Sequence, residues 1–289
     1  MNEPLILMCI LAHPDDESLG VGGILARYSS EGVVTSLICA TRGQRGWSGP
    51  EKDYPGLEQL GEIRKRELTN ASRVLGLHQA HILDYTDGDL DQADPGIIVP
   101  QIAGLIRQVR PQVVVTFDPK GTYGHPDHIA ICQYTHAALV MSADSCAPLD
   151  GDPHQVLKLY YMVETLEDLD LYLSLFGELS MLVDGVERCP VVWEDWAITT
   201  RVDTSAFRDV VWQAVNCHQT QIPSYEGFRN ALACSNLWST QNFYRAMSLV
   251  NSGRMLEDDL FAGIRTPSIY SDVAAPRPPC RLELEREVS

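Results

Sequence analysis

The stretch LILMCILA (5–12) is apolar at every position and breaks off directly into His13, Pro14, Asp15, Asp16 and Glu17. A strand without polar alternation is one covered on both faces, which is the pattern of a parallel sheet sandwiched between helices. The run is also far shorter than a bilayer-spanning helix requires.

The rest of the first half repeats this rhythm. VVTSLICA (33–40) is a second β-branched run, a short strand is expected around 81–83, and QVVVTF (112–117) is a fourth. Helices are expected between them. They cover 18–30, stopped by Gly32, and 58–75, with Leu60, Ile63, Leu68, Ala71 and Leu75 near helical spacing and Gly76 as the stop. Ile98, Ile102, Leu105, Ile106 and Val109 mark a third helix face, and 127–141 a fourth helix. Residues 41–56 are rich in glycine and proline and read as a loop. Strands separated by helices pair in parallel through right-handed crossovers. The expected fold is α/β, a doubly wound, Rossmann-like, mainly parallel sheet with an elaborated C-terminal part. That part includes strands at 157–163 and 196–202 and a helix at 205–218. Residues 1–265 are expected to form one domain, with a Rossmann-like half (1–141), a second half (142–265) and a proline-rich acidic tail (266–289).

Composition narrows the function. The net charge of −17 repels phosphate backbones and anionic headgroups, so nucleic-acid and membrane partners are disfavoured. The eight cysteines form no CxxC pair and several sit in apolar runs, which suits a reducing cytoplasm. The N-terminal stretch has no basic n-region of a secretory signal. No GxxxxGK[ST], GxSxG or HExxH occurs. GVGG (20–23) lacks the third glycine of a dinucleotide loop and reads as close helix packing.

Two motifs carry chemistry. AHPDDE (12–17) follows the first strand and GTYGHPDHIA (121–130) the fourth. Each packs His, Pro and Asp into a strand-to-helix turn. Acids at a helix start are ordinary capping residues, but that accounts for the carboxylates alone and leaves the histidines unexplained. In a sheet of order 3-2-1-4 the loops after strands one and four face each other across the switch-point crevice, where α/β sheets bind ligands. His13 and His128, 115 positions apart, would meet there. Two imidazoles and a carboxylate are the donor set of a catalytic zinc with an open position, which acidifies water and polarises a carbonyl. Of the adjacent Asp15 and Asp16, one can bind metal while the other acts as base, and His125 can donate to an oxyanion.

These motifs resemble the N-acetylglucosaminyl-phosphatidylinositol de-N-acetylase superfamily, also called LmbE-like. Weaker likenesses run along nearly the whole chain, in IRKRELTNASRVLG (63–76), ATRGQRG (40–46, with Gln44 where Glu is common), CHQTQ (217–221) and DLFAGI (259–264). The resemblance implies zinc on His13, Asp16 and His128, and Asp15 as general base. It implies a protonated His125 oriented by Asp127, and Tyr123 polarising the amide carbonyl. Arg64 would contact the sugar or its aglycone, and His218 and Gln221 would contact substrate or support the site. His78, His81, His136 and His154 match nothing. The implied activity is removal of an acetyl group from an N-acetylglucosamine-containing small molecule. Two alternatives stand: an amidase for a larger N-acyl group, and a non-catalytic sugar- or metal-binding module. A homo-oligomer is expected from the resemblance and from the apolar content of the second half.

Overall fold

The computed structural model describes residues 4–177, 180–183, 185–221, 235–250 and 256–265. Its strands are β1 (Ile6–Leu11), β2 (Val34–Thr41), β3 (Gln79–Tyr85), β4 (Val113–Phe117), β5 (Lys158–Thr165), β6 (Met181–Val183), β7 (Val186–Arg188), β8 (Val192–Trp193), β9 (Thr200–Asp203) and β10 (Thr240–Ser248). Its helices are α1 (Asp16–Leu19), α2 (Gly22–Ser30), α3 (Leu57–Val74), α4 (Pro95–Val109), α5 (Gly121–Gly124), α6 (Pro126–Ala143), α7 (Leu166–Phe176) and α8 (Arg208–Val215). The main sheet runs β3-β2-β1-β4-β5-β10-β9, with β8 added beside β5. The first five strands of that path are parallel, and β10 is antiparallel to both neighbours. Beside it stands the β6–β7 hairpin.

Leu7 to Ala12 are wholly buried, as an all-apolar central strand requires. β1 pairs with β2 on one side and β4 on the other (Leu7 opposite Val113, Cys9 opposite Val115), so the order reverses at β1. The switch point therefore lies between the carboxyl ends of β1 and β4, as the motif argument needs.

Five elements depart from the sequence reading. The helix expected over 18–30 is broken at Gly20–Val21 into α1 and α2. Each is pressed against a neighbour: a Cβ on Gly20 would stand 3.0 Å from the Asp16 carbonyl oxygen, and one on Gly23 2.7 Å from Thr204. The strand expected at 196–202 begins only at Thr200, after a 3₁₀ turn at Asp195–Ala197. The helix expected at 205–218 is a 3₁₀ turn followed by the shorter α8. β10 and α7 have no counterpart in that reading. β10 buries the polar Gln241 and Asn242 on its two faces, which hides its alternation, while α7 alternates leucine with polar residues over part of its length and mimics a strand.

The DLFAGI segment packs into the sheet. Glu257 accepts from Lys158 Nζ (2.8 Å), Tyr160 Oη (2.6 Å) and Thr200 Oγ1 (2.9 Å), while Leu260 and Phe261 are fully buried. The expected tail, 266–289, lies outside the described residues.

Candidate metal centre and active site

The turn after β1 is held in an uncommon conformation. Asp15 has φ 121° and ψ −29°, a region a residue with a Cβ rarely visits and one that costs on the order of 1–3 kcal/mol. Among the bonds that hold it, its N–H donates to Glu17 Oε2 (2.9 Å), and Arg64 Nη2 donates to its carboxylate (2.9 Å). The turn after β4 is also strained, with Thr122 at φ 63° and its N–H donated to Asp118 Oδ1 (2.9 Å).

Across the switch point three donors converge. His13 Nδ1 lies 3.2 Å from His128 Nε2 and 3.6 Å from Asp16 Oδ2, and His128 Nε2 lies 3.6 Å from Asp16 Oδ1. Tetrahedral coordination at ordinary zinc–nitrogen and zinc–oxygen lengths separates ligand atoms by about 3.3–3.5 Å, so the spacing fits a metal ion. The tautomer fits as well. Asp127 Oδ2 sits 3.0 Å from His13 Nε2 and Asp87 Oδ1 3.3 Å from it, which places the ring proton on Nε2 and turns the Nδ1 lone pair to the centre. Burial lowers the His128 pKa to about 3, so its ring is a neutral ligand, and it stacks on Phe117 (3.8 Å, 8°). Burial opposes charge on His13 too, but Asp127, Asp16 and Asp87 outweigh it and raise its pKa well above the usual range, so a metal ion binding at Nδ1 would displace a proton there. His13 also groups with His125 and His128, and with Asp87 and Asp127. In the latter grouping the carboxylates are already engaged by the amides of Arg45, Gly88 and Leu90.

His125 lies beside this centre, its ring 4.7 Å from that of His13 and 4.8 Å from that of His128. Its Nδ1 accepts the Asp127 amide (3.1 Å), so a neutral ring carries its proton on Nε2. Burial, followed by the nearby His13, lowers its pKa. Tyr123 sets its ring edge-on to both His125 (5.7 Å) and His128 (5.2 Å). Burial, the first of several causes, raises the Tyr123 pKa, so the phenol stays protonated.

Residues 8–139 match the family model described as GlcNAc-PI de-N-acetylase. A 1D-myo-inositol 2-acetamido-2-deoxy-alpha-D-glucopyranoside deacetylase of Kineococcus radiotolerans is 33% identical over 93% of this chain and 85% of its own. The chain belongs to the GlcNAc-PI de-N-acetylase family. A mycothiol S-conjugate amidase of Streptomyces coelicolor is also 33% identical, over 92% of this chain and 99% of its own. Among solved structures, a conserved protein from Thermus thermophilus superposes with a TM-score of 0.62 at 27% identity, covering 85% of this chain and 96% of that one. The N,N'-diacetylchitobiose deacetylase of Pyrococcus horikoshii shares the fold, with a TM-score of 0.63 at 18% identity over 84% of each chain. This protein is accordingly an amide hydrolase of a metal-dependent deacetylase family.

Three expectations for this de-N-acetylase are corrected by the geometry. Asp127 does not orient His125 through its side chain. Its carboxylate holds His13 and accepts from Gly88 N (2.7 Å) and Leu90 N (3.0 Å), and only its amide reaches His125. His125, expected to be protonated, is neutral in this arrangement, because Nδ1 cannot carry a proton and accept one bond at once. Arg64 is not placed to grip the sugar. It is 3% exposed and is committed to Asp15, to the Pro14 carbonyl and to the Gly43 carbonyl. His218 and Gln221 are both engaged by protein partners. His218 is fully buried, with Nε2 2.8 Å from Glu17 Oε1, and Gln221 bridges the Gly46 carbonyl and Ser48.

The sequence reading missed Asp87, which bonds His13 and the Arg45 amide, and Glu17, which links His218 to the Asp15 amide. The Asp-Gly pair at 87–88 resembles an ordinary turn, and Glu17 an ordinary first-turn acid. No helix among the described residues is long and apolar enough to cross a membrane.

Proposed function

We propose that this chain is a zinc-dependent N-deacetylase that hydrolyses the acetamide of an N-acetylglucosaminyl glycoside, with inositol as the aglycone to test first. One observation carries the reading: the His13–Asp16–His128 convergence with Asp15 alongside, in a chain 33% identical to an enzyme named for that substrate. His13 Nδ1, His128 Nε2 and the Asp16 carboxylate would hold the ion. When bound, it would polarise the amide carbonyl and acidify the attacking water.

The chain's own groups do the rest. Asp15, paired with Arg64, takes a proton from the water as the water's oxygen bonds to the acetyl carbon. The oxyanion that develops accepts from His125 Nε2–H and the Tyr123 hydroxyl, both preorganised by packing. Asp15 then returns the proton to the sugar nitrogen as the carbon–nitrogen bond breaks, releasing acetate and the free amine. Residues up to 265 are read as one catalytic unit in a reducing cytoplasm, supported by free thiols at Cys9, Cys39 and Cys132, and copies of the chain are expected to associate.

The amidase relative supports a second reading, cleavage of a larger N-acyl group, at equal identity. The test is acid release by the zinc-loaded protein from N-acetylglucosaminyl-inositol, N-acetylglucosamine, a chito-oligosaccharide and a cysteinyl-glucosaminyl thioether conjugate. Fastest turnover of the inositol glycoside supports the proposal. Preference for the conjugate gives the amidase, and inertness toward all four gives the binding module.

A further inference from the structure

A cavity of about 200 Å³ opens at the carboxyl end of β5, beside the centre already described. Leu19 and Gly20, just past Asp16, and Thr122, next to Tyr123, form one wall, while α7 and the start of β10 form the others. Its size is below the range typical of drug-sized ligands and suits a molecule of a few heavy atoms.

Its polar lining is unbalanced. Asp168 accepts three donors on Oδ2, from Thr165 N (2.8 Å), Thr165 Oγ1 (2.7 Å) and Asn242 Nδ2 (2.9 Å). Asn242 is 8% exposed and spends its amide nitrogen on Asp168, while its Oδ1 has no partner among the described residues. The carboxyl of Glu164, in the same lining as Asp168, makes no hydrogen bond within the described protein, and burial followed by the Asp168 charge pushes its pKa up to about 8. Arg201, across the β9–β10 pair from Asn242, gives its Nη2 to Asp195, and its Nε is likewise unpartnered.

Buried acceptors without donors are costly, and two carboxyl groups in one low-dielectric cavity cost more when both are charged. A positive group with several N–H donors relieves both penalties together. A neutral hydroxyl supplies a donor but no charge. The unpartnered Arg201 Nε suits an oxygen acceptor on the same molecule. We propose that this cavity binds a small primary ammonium compound, with Glu164, Asp168 and Asn242 Oδ1 around the ammonium and an adjoining oxygen on Arg201. The site is separate from the metal donors, and its occupancy does not depend on which amide the enzyme cleaves.

The test titrates ethanolamine into the metal-loaded full-length protein by calorimetry and saturation-transfer NMR, with ethylene glycol as the neutral match. Parent and Asp15→Asn protein should bind ethanolamine alike, Glu164→Gln should bind at least about tenfold more weakly, and ethylene glycol should bind no better than to Glu164→Gln. Glu164→Gln removes an unpaired carboxyl with little change of shape, so its thermal midpoint should equal or exceed the parent's. That measurement separates a lost site from a lost fold. Equal binding of ethylene glycol would overturn the proposal. So would unchanged ethanolamine affinity in Glu164→Gln, loss of binding in Asp15→Asn alone, or no binding to the parent.

Discussion

Asp127→Asn probes the support of the centre without touching a metal donor. The Asp127 carboxylate is fully buried, and its Oδ2 accepts from both His13 Nε2 (3.0 Å) and Gly88 N (2.7 Å), with Oδ1 taking Leu90 N (3.0 Å). An amide of the same shape has one oxygen. If that oxygen keeps the two donors at the Oδ2 position, the NH₂ group faces the Leu90 amide, donor to donor. The charge-assisted part of the His13 bond is lost either way, at about 1.5–3 kcal/mol for a bond to an ionised group. Carboxylates that orient a ligating histidine typically contribute about 10–100-fold in metal affinity, or about 1.4–2.8 kcal/mol, which is the same range. The expected outcome is a zinc dissociation constant raised by about that factor, with folding weakened by about 1–3 kcal/mol. Competition against a chromophoric chelator measures the first, and urea unfolding of the metal-free protein the second. Parent-like zinc affinity in a folded Asp127→Asn protein would refute the tautomer-locking argument.

Arg64→Met should retain zinc and leave KM near the parent value while kcat falls about 10²-fold, the scale of a misplaced catalytic group; steady-state kinetics showing a KM effect alone would restore the sugar-contact role. His125→Ala should retain zinc and lower kcat by about 10²–10³-fold, the cost of one oxyanion donor, as measured by acetate release. Glu164 makes the folded state bind a proton more tightly than the unfolded chain, because its pKa rises from 4.5 to about 8. Between those values the native state holds the extra proton, so parent stability should fall as pH rises, by up to a few kcal/mol, whereas Glu164→Gln should lack that slope. Superimposable stability–pH curves for the two proteins would show that Glu164 titrates normally.

The parts legible in the sequence were those encoded locally. An unbroken apolar strand ending in His-Pro-Asp-Asp-Glu, and its counterpart after β4, were enough to place His13, Asp16 and His128 together, because sheet order alone decides which loops meet. The role expected of Asp127 was carried over from the family resemblance. Helical residues two apart diverge by about 200° around the axis, so Asp127 in the first turn of α6 turns its carboxylate away from His125 and reaches His13 instead. The resemblance set Arg64 against the sugar or its aglycone. Yet Leu60, Arg64 and Leu68 are spaced by four along α3, and that stripe is the buried one. The part Asp87 plays depends on β3 closing against the loop before α3, a long-range contact that no local pattern reports.

The central claim is that one metal ion on His13, Asp16 and His128 is required for amide hydrolysis by this chain. The most direct measurement is acetate release as zinc is titrated into the metal-free protein, for the parent and for His13→Ala. In the parent, activity should rise from zero and level off at about one equivalent per chain, as a mononuclear site with an open position requires, and His13→Ala should stay flat. Full activity before any zinc is added, or a parent-like titration in His13→Ala, would contradict it.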